Sequence, residues 1–348
     1  MPTIYDERPP SVIEIPEAPI NIGISKRKKQ LVPTLTKGEL EMGKLQTSSR
    51  LMEMICRMEN LNEAFLDVRQ SRGCAGSDGV SIAAFDRKRV EQLTILQKEL
   101  VNGKYRPKIL KVFEITKSDG STRTLKVPSV RDRVAQQAVL RIINSVWEAE
   151  FEPTSFAYRK GRSVRQAIKR VEQYREEGCL WVLRADVDNY FDEIPRQNLL
   201  ERFEQRIRDD QVVSLVKNWI EVGSTKIEPT TGRGIPQGLS VSPLLSNIYL
   251  DRFDEAIDGL GYKMVRYADD FLIACRDEKE AQDALSDVER ELKFDRLSLH
   301  DKKTYITSFA KGFSFLGYIF IGSFSFQKSK LPDGWHISGA GGIVQDNE

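Results

Sequence analysis

The sequence predicts an α+β protein in which helices pack on an antiparallel sheet. Short runs of strand-forming residues occur in adjacent pairs joined by turn residues, the pattern typical of hairpins. Between these pairs lie longer segments whose apolar residues recur at three-and-four spacing, as on the buried face of a helix. One hairpin carries adjacent carboxylates at its tip, Asp269 and Asp270. This pattern would hold divalent cations at a sheet edge. A solvated Asp-Asp turn is the alternative.

Composition sets the class of protein but not its partners. The chain has 348 residues, of which 40% are hydrophobic and 30% charged, as in folded globular proteins. Its 53 basic and 51 acidic side chains leave a net charge of +2, so net charge does not indicate nucleic acid. No apolar run approaches the roughly 18 residues of a membrane helix, and no signal-peptide core is present. We therefore predict a cytoplasmic protein with no membrane partner.

Cysteine and histidine usage limits the metal chemistry. The four cysteines, Cys56, Cys74, Cys179 and Cys275, are scattered and form no C-x-x-C pair. They indicate neither a zinc site nor a disulfide framework. Only two histidines are present, which disfavours histidine-rich sites. Metal chemistry would have to use carboxylates, which favours magnesium or manganese.

Residues 1–45 are predicted to form a flexible extension. Six prolines interrupt regular structure there, and a basic cluster spans Lys26 to Lys29. A solvated tail and a nucleic-acid-binding arm are both consistent with this composition. From Gln46 the apolar spacing predicts a helix that buries residues from Leu51 to Phe65. A second helix is predicted from Asp86 to Asn102, followed by a hairpin of Ile109–Thr116 with Thr122–Val127.

Two stretches of this first half are strongly basic. Nine Lys or Arg lie between positions 104 and 133, against three acids, and a second block runs from Arg159 to Arg170 with no acid inside it. Phe156 and Tyr158 lie beside the second block. Clustered cations interleaved with aromatic residues are typical of surfaces that contact nucleic-acid phosphates. The alternative is an ordinary solvated face.

The second half alternates strands and helices around the acidic hairpin. A strand from Trp181 to Ala185 leads directly into Asp186. The glycine-rich loop Thr230–Gly238 must approach another segment closely, because its glycines and proline prevent regular structure. The other predicted elements are helices at Ile194–Arg208, Val212–Val222, Ser242–Ile257 and Glu278–Phe294, a strand at Thr304–Phe309, a hairpin at Phe313–Phe326 and a frayed tail from Lys328.

Three acids therefore stand at strand ends, and they would converge if their strands are neighbours. Two magnesium ions roughly 3.5–4 Å apart would activate an attacking hydroxyl and stabilise a pyrophosphate leaving group. Asp186 and Asp269 would bridge the ions, with Asp270 and the carbonyl of Val187 as lesser ligands. Arg123 and Lys126 would meet a triphosphate, because its charge needs cations beyond the metals.

Seven ordered blocks carry a family resemblance. RADVDNYFDEI, GIPQGLSVSPLLSNIYL, YADDFLIA, LSLHDKKTYI and FSFLGYIF resemble successive palm motifs of reverse transcriptases. Upstream, STRTLKVPSVRDRVAQQAV and SFAYRKGRSVRQAI resemble the fingers motifs of the group II intron lineage. The resemblance implies a right-hand polymerase fold with fingers at 46–180 and palm at 181–322. The reverse transcriptase domain covers about 100–322, and 323–348 is a short C-terminal tail.

The resemblance also implies roles for individual residues. Asp186, Asp269 and Asp270 correspond to the catalytic carboxylates, and Phe191 to the steric gate that rejects a ribose 2′-hydroxyl, although a core ring is the alternative. Asp192 is expected to cap the following helix. The remaining assignments are Arg123, Lys126, Gln237, Gly238 and Lys303 (or its neighbour Lys302) for dNTP binding, Phe315, Leu316, Gly317 and Tyr318 for the primer grip, and Arg159, Lys160 and Arg162 for nucleic-acid binding.

The predicted function is RNA-directed DNA polymerisation. The enzyme would extend a DNA or RNA primer on an RNA template with dNTPs, using two Mg²⁺ ions, or Mn²⁺ as an alternative. A non-catalytic RNA-binding or maturase-like remnant is the competing function, but a pure binder has no need of three mutually repelling carboxylates.

The biological role is left open among three alternatives. Only about 26 residues follow position 322, so we expect the thumb to be largely absent. A CRISPR-associated integrase, or another protein, would then supply thumb-like contacts to a reverse transcriptase that serves spacer acquisition from RNA. A retron-like or other group II-like lineage and a truncated intron protein are the alternatives.

Overall fold

A computed structural model describes residues 49–116, 120, 122–223, 231–330, 335–337 and 343–345. All of them belong to one compact unit, Leu35–Glu348. The predicted extension at 1–45 lies outside the described residues, as does most of the turn predicted at Lys117–Gly120. Among the described helices, none combines the length and apolar character needed to cross a bilayer.

The N-terminal helices are shorter than the sequence predicts. The first predicted helix is divided into α1 (Ser49–Ile55) and α2 (Met58–Gln70), because Arg57 between them has the extended ψ of 135°. The second predicted helix, Asp86–Asn102, corresponds to α4 (Arg89–Val101), and its first residues belong to a separate short helix, α3 (Ile82–Arg87), which begins before the predicted bound and is followed by Lys88. The hydroxyl of Ser81 caps α3 by accepting a hydrogen bond from the Ala84 amide.

The predicted basic hairpin is confirmed. Strands β1 (Lys111–Thr116) and β2 (Thr122–Val127) pair antiparallel, with Ile115 opposite Arg123. They form a two-stranded sheet of their own. Two helices without a sequence prediction follow it, α5 (Val130–Glu148) and α6 (Val164–Glu176), and each begins at a serine cap. Helix α6 carries part of the second basic block, with Arg165 and Lys169 exposed.

The central sheet is four-stranded and antiparallel. Its order is β4 (Lys263–Tyr267), β5 (Asp270–Cys275), β3 (Trp181–Asp186) and β6 (Tyr305–Ser308). Alternating side chains supply two hydrophobic cores, as a sheet covered on both faces requires. Leu183 and Ile273 belong to the larger core, whereas Val182 and Leu272 belong to the smaller one, which also contains apolar residues of α6.

The short helix α7 (Tyr190–Glu193) has no sequence prediction. The next described helices agree with the sequence prediction to within a few residues; they are α8 (Arg196–Arg206), α9 (Asp210–Glu221), α10 (Ser242–Gly259) and α11 (Glu278–Phe294). The predicted capping role of Asp192 is wrong. Asp192 lies inside the short helix α7, and Pro195 occupies the cap position of the next helix.

The C-terminal segment contains more structure than predicted. Strands β7 (Phe313–Phe315), β8 (Tyr318–Ile321) and β9 (Phe324–Gln327) form a three-stranded antiparallel sheet. A 3₁₀ turn follows at Lys328–Lys330, and then β10 (Trp335–Ile337) pairs with β11 (Ile343–Gln345). The prediction of a frayed tail from Lys328 is therefore wrong for these short elements, whose backbone pairing the apolar pattern is too brief to reveal.

Candidate active site

The central sheet brings the three predicted carboxylates to one edge. Asp186 is the last residue of β3 and stands directly opposite Asp270, the first residue of β5. Side chains at opposed positions of an antiparallel pair share a face of the sheet. Asp269 lies in the adjoining turn, where its carbonyl accepts a hydrogen bond of 3.1 Å from the Val187 amide. The assumption that these strands are neighbours is thus confirmed.

The turn between β4 and β5 has only two residues, and it lacks the glycine that such short turns usually contain. Tyr267 pairs with Asp270, so only Ala268 and Asp269 lie between them. Ala268 has φ of 62°, in the left-handed region that disfavours residues with a Cβ. The buried guanidinium of Arg266 donates to the Ala268 carbonyl at 3.0 Å and forms an ion pair with buried Asp254. Arg266 is thus a supporting residue that the sequence analysis missed.

The carboxylates repel one another at this edge. Burial, together with the charge of Asp186, raises the pKa of Asp269 to about 6. Burial also raises the pKa of Asp270, although the neighbouring Arg184 opposes that rise. Concentrated negative charge of this kind is stabilised by bound cations.

Two side-chain cations already contact the carboxylates. The Lys303 ammonium lies 3.1 Å from Asp186 Oδ1, and the Arg184 guanidinium lies 2.5 Å from Asp270 Oδ1. The sequence offers Lys302 and Lys303 as alternatives for one role, and the structure places Lys303 against the carboxylate. Arg184 was not singled out, because its partner lies 86 residues away in the chain.

The donor set fits hard divalent cations. Asp186, Asp269 and the carbonyl of Val187 offer the oxygen ligands that Mg²⁺ and Mn²⁺ prefer. Among the described residues, no group of three or more acidic, histidine or cysteine side chains is already arranged around a metal-sized centre. Burial and the charge of Asp186 raise the pKa of Asp269 even though Lys303 opposes the rise, so a bound cation would further stabilise the ionised carboxylate. The residue types and the electrostatics therefore fit a metal site.

The glycine-rich loop joins the β1–β2 hairpin to the carboxylate edge. Arg123 Nε donates to Gln237 Oε1 at 2.7 Å, and the Lys126 amide donates to the Gln237 carbonyl at 2.7 Å. Gly238, at φ of 114°, lies so near β2 that an added Cβ would stand 2.5 Å from the Lys126 carbonyl oxygen. The structure thus assembles four residues assigned to dNTP binding from two separate segments.

Phe191 contacts the same glycine-rich loop through its backbone. The Ile235 amide donates to the Phe191 carbonyl at 2.8 Å, which fixes the helix bearing Phe191 against the loop. The ring is 9% exposed and packs edge-on against Tyr190, with the ring centroids 5.6 Å apart. Phe191 is therefore largely a core side chain, and little of the residue is accessible from outside.

The predicted primer-grip residues form the β7–β8 turn. Phe315 pairs with Tyr318, and Leu316 and Gly317 make the connection with positive φ values of 49° and 77°. Phe315 is buried, whereas Tyr318 is half-buried. The guanidinium of Arg184 lies 4.7 Å from the centroid of the Phe315 ring, so this turn packs beside the carboxylate edge.

The three basic residues assigned to nucleic acid have different environments. Arg159 is 7% exposed, pairs with Glu148 and donates to backbone carbonyls. Its placement contradicts a nucleic-acid contact, because the guanidinium is used to fold its own loop. Lys160 is exposed, and Arg162 is half-buried over the Phe156 ring, donating to the Pro153 carbonyl at 2.7 Å.

Tyr158 is a further residue near the site without a sequence assignment. Its backbone is left-handed, with φ of 61°, and its side chain is 48% exposed. Burial and the charge of Asp269 raise its pKa. The preceding segment is anchored beside β4, because the Phe156 amide donates to the Arg266 carbonyl at 2.9 Å. Only this tertiary contact reveals its location.

Comparisons with known proteins agree with the geometry. Residues 115–320 match the model of the family described as "Reverse transcriptase (RNA-dependent DNA polymerase)". Protein YkfC of Escherichia coli is 30% identical over 77% of this chain and 82% of its own length. Group II intron-encoded protein LtrA of Lactococcus lactis is 27% identical, over 63% of this chain and 37% of its own length.

A solved structure gives the same fold. The apo telomerase of Candida tropicalis superposes with a TM-score of 0.52 at 12% identity, covering 70% of this chain and 54% of the telomerase chain. At this identity the likeness concerns the fold alone. It agrees with the mixed helices and antiparallel sheets described above, and the family match covers more than half of the sequence. This chain belongs to the reverse transcriptase family of RNA-dependent DNA polymerases.

Proposed function

We propose that the protein extends a DNA or RNA primer on an RNA template with dNTPs, as a magnesium-dependent polymerase. The observation that carries this proposal is the register of the sheet, in which Asp186 stands opposite Asp270 with Asp269 in the next turn. Proteins that only bind RNA need no such convergence of carboxylates, whose mutual repulsion is a cost to folding.

The metal site would consist of Asp186, Asp269 and the Val187 carbonyl, with Asp270 as a lesser ligand. Bound Mg²⁺, or Mn²⁺ in its place, supplies Lewis-acid stabilisation of the oxygens that gain charge during phosphoryl transfer. Magnesium is favoured because the ligands are all hard oxygens. The edge of β3 and β5 is rigid, since both strands are paired and their residues are largely buried.

The nucleotide would lie between the β1–β2 hairpin and the carboxylate edge. Arg123 and Lys126 would bind the triphosphate, because a guanidinium and an ammonium stabilise phosphate charge in complementary ways. The backbone of Gln237 and Gly238 would support the base pair. The aromatic side chain of Phe191 would exclude a ribose 2′-hydroxyl and so favour deoxynucleotides.

Lys303 is suited to a proton-holding role in the same reaction. Its ammonium lies 3.1 Å from Asp186 Oδ1, so it is located at the carboxylate edge. From there the Nζ proton would be available to the pyrophosphate as negative charge develops on it. The contact with Asp186 would be exchanged for a contact with the phosphate.

Primer and template would be held by the neighbouring surfaces. The turn Phe315–Tyr318 lies beside the carboxylate edge through its contact with Arg184. Lys160 and Arg162 extend a basic surface that continues along α6, and Arg159 is excluded from it by burial. Backbone phosphates are bound by exposed cations of this kind without regard to sequence.

For the biological role we propose a host-serving, group II-like reverse transcriptase, for example in CRISPR spacer acquisition from RNA. An associated integrase, or another protein, would be the protein partner of such an enzyme. A group II-like retroelement is the second candidate, favoured by the similarity to LtrA. Neighbouring genes discriminate the two, because CRISPR genes support the first and intron RNA boundaries support the second.

Primer extension with purified protein tests the enzymatic proposal. A DNA primer annealed to an RNA template is incubated with dNTPs and Mg²⁺, and product length is read on a denaturing gel. We expect extension that stops when EDTA removes the metal. No extension with Mg²⁺ or Mn²⁺, alone or with neighbouring gene products, would favour the non-catalytic RNA-binding alternative.

A further inference from the structure

Arg184 physically joins the primer-grip turn to the active-site edge. It lies on β3 two residues before Asp186, so both side chains are on the same face of the strand. Its Nη1 donates to Asp270 Oδ1 at 2.5 Å and to the Phe271 carbonyl at 2.9 Å. Its Nε donates to the Ser314 carbonyl at 3.0 Å, and the Phe315 ring packs on the guanidinium.

These contacts leave the guanidinium little freedom. The side chain is 12% exposed, and a buried charge is tolerated only where its partners are well aligned. A guanidinium is a rigid planar fork whose donors cannot move independently. A displacement of the β7–β8 turn therefore reorients the donors that hold Asp270, and a displacement of Asp270 alters the contact with the turn.

We propose that Arg184 is a positioning residue that couples a primer terminus on the Phe313–Ile321 hairpin to the orientation of the Asp270 carboxylate. The proposal rests on the proposed function, since it assumes that a primer binds at this hairpin. When the primer terminus docks on the hairpin, the guanidinium sets the Asp270 oxygens for catalysis. Without a primer, the carboxylate stays bound to Arg184 in its resting orientation.

The first test measures coupling between primer and metal without catalysis. Mn²⁺ binding is followed by electron paramagnetic resonance, with and without a DNA primer annealed to an RNA template, in the absence of dNTPs. In the wild type, we expect the duplex to change Mn²⁺ affinity about fivefold or more, a typical coupling between linked sites. Arg184→Lys keeps the charge but loses the fork, so the coupling factor should fall to about 1.

Arg202→Lys provides a matched control. Arg202 is 18% exposed, pairs with the buried carboxylate of Asp295 and packs on the Tyr249 ring, so it loses a similar fork in the same substitution. Among the described residues, Arg202 contacts Tyr249 and Asp295 and not the active-site carboxylates or the hairpin. We expect Arg202→Lys to show the wild-type coupling factor, although its melting temperature should fall by about as much as that of Arg184→Lys.

A second variant approaches the coupling from the hairpin side. Phe315→Leu removes the ring that lies on the guanidinium but does not alter a carboxylate. Phe315→Leu should lower both the coupling factor and kcat. Its KM for dNTP should stay within about twofold of the wild-type value, because the substitution removes no contact that binds the nucleotide equally in the ground state and the transition state. The double variant should be no worse than Arg184→Lys, since both changes break the same connection.

Each outcome is decisive. A wild-type coupling factor near 1, an unchanged factor in Arg184→Lys, or additive effects in the double variant would overturn the proposal. If Arg184→Lys does not fold, the comparison of Phe315→Leu with wild type decides the matter alone. Wild-type protein that neither binds the duplex nor extends a primer would refute the proposed function itself, whereas active protein without coupling refutes only the role of Arg184.

Discussion

Gly238 lies where the glycine-rich loop closely approaches the β1–β2 hairpin. Its φ of 114° is costly for any residue with a side chain, and a Cβ would stand 2.5 Å from the Lys126 carbonyl oxygen. Gly238→Ala must therefore push the loop away from β2 and separate Gln237 from Arg123. We expect the KM for dNTP to rise at least about tenfold, the loss of roughly one charged hydrogen bond, measured by steady-state primer extension.

Gly232→Ala is the control for this prediction. It lies in the same loop at φ of 69°, but nothing stands within 4 Å of its added Cβ. It should cost about 1–2 kcal/mol of stability from backbone strain and leave the KM for dNTP near the wild-type value. Equal KM values in Gly238→Ala and wild type would show that the contact between loop and hairpin does not position the nucleotide.

Phe191 tests whether a mostly buried ring also selects the sugar. Phe191→Leu removes the aromatic ring while keeping an apolar side chain in the core. We expect the ratio of kcat/KM for dNTP to that for rNTP to fall at least about tenfold, because loss of a steric exclusion of one or two kcal/mol has that effect. Single-nucleotide incorporation measures this ratio.

Phe203→Leu separates sugar selection from core packing. Phe203 is fully buried against Trp147, so the substitution loosens the core without touching the carboxylate edge. Its selectivity should equal that of wild type. If Phe203→Leu and Phe191→Leu alter the ratio equally, Phe191 is a packing residue only.

At the residue scale, the sequence shows which side chains are charged but not which groups they contact. Asp186, Asp269 and Asp270 were found because they end strand-like runs within recognisable motifs. Arg159, Arg184 and Arg266 look alike in the sequence, yet one folds a loop, one holds Asp270 and one supports the turn. Their partners are distant in the chain, in one case by 86 residues, so local pattern cannot distinguish them.

At the element scale, helix α10 carries a carboxyl group, that of Asp251, whose charged form is destabilised by burial. Burial, with the charges of Asp254 and Glu255, raises the pKa of Asp251 to about 7, and Asp251 Oδ1 has no hydrogen-bond partner among the described residues. A raised folded-state pKa means that the native protein binds the proton more tightly than the unfolded chain, whose pKa is about 3.9. Stability should therefore fall as pH rises from about 4 to about 7.

Asp251→Asn removes this pH-dependent penalty. We expect the variant to exceed wild type in unfolding free energy at pH 8 by on the order of 1 kcal/mol, a value reduced for the partial exposure of the group. The advantage should shrink towards pH 4. Urea denaturation at several pH values measures it, with exposed Asp258→Asn on the same helix as control. A variant less stable than wild type at pH 8 would contradict the assignment.

The helices without a prediction have physical explanations. Helix α5 is buried over most of its length, and its buried residues include polar Asp132, Arg133 and Gln136, so its buried face does not stand out as an apolar stripe in the sequence. Helix α6 does show one, since Ala167, Ile168, Val171 and Tyr174 are its buried residues. The many basic residues of α6 make that apolar spacing difficult to recognise in the sequence. The divisions at Arg57 and Lys88 depend on single backbone angles, which periodicity does not reveal.

At the scale of the whole molecule, the order of motifs predicted what local pattern could not. Strand β3 and strand β5 are separated by more than 80 residues, and no propensity specifies that Asp186 stands opposite Asp270. The α+β class and the reverse transcriptase family are confirmed. The division into fingers and palm at residue 180 and the metal-binding roles stay predictions.

The central claim is that the carboxylate edge catalyses RNA-templated DNA synthesis. The most direct test compares initial rates of extension of a primed RNA template in Mg²⁺ by wild type, Asp269→Ala and Asp301→Asn, the last removing an exposed charge near Lys303. Asp269→Ala should lose at least about 100-fold in rate, since metal stabilisation of the transition state is worth several kcal/mol. Asp301→Asn should stay within about threefold. A folded Asp269→Ala protein that retains more than a tenth of the wild-type rate would contradict the account.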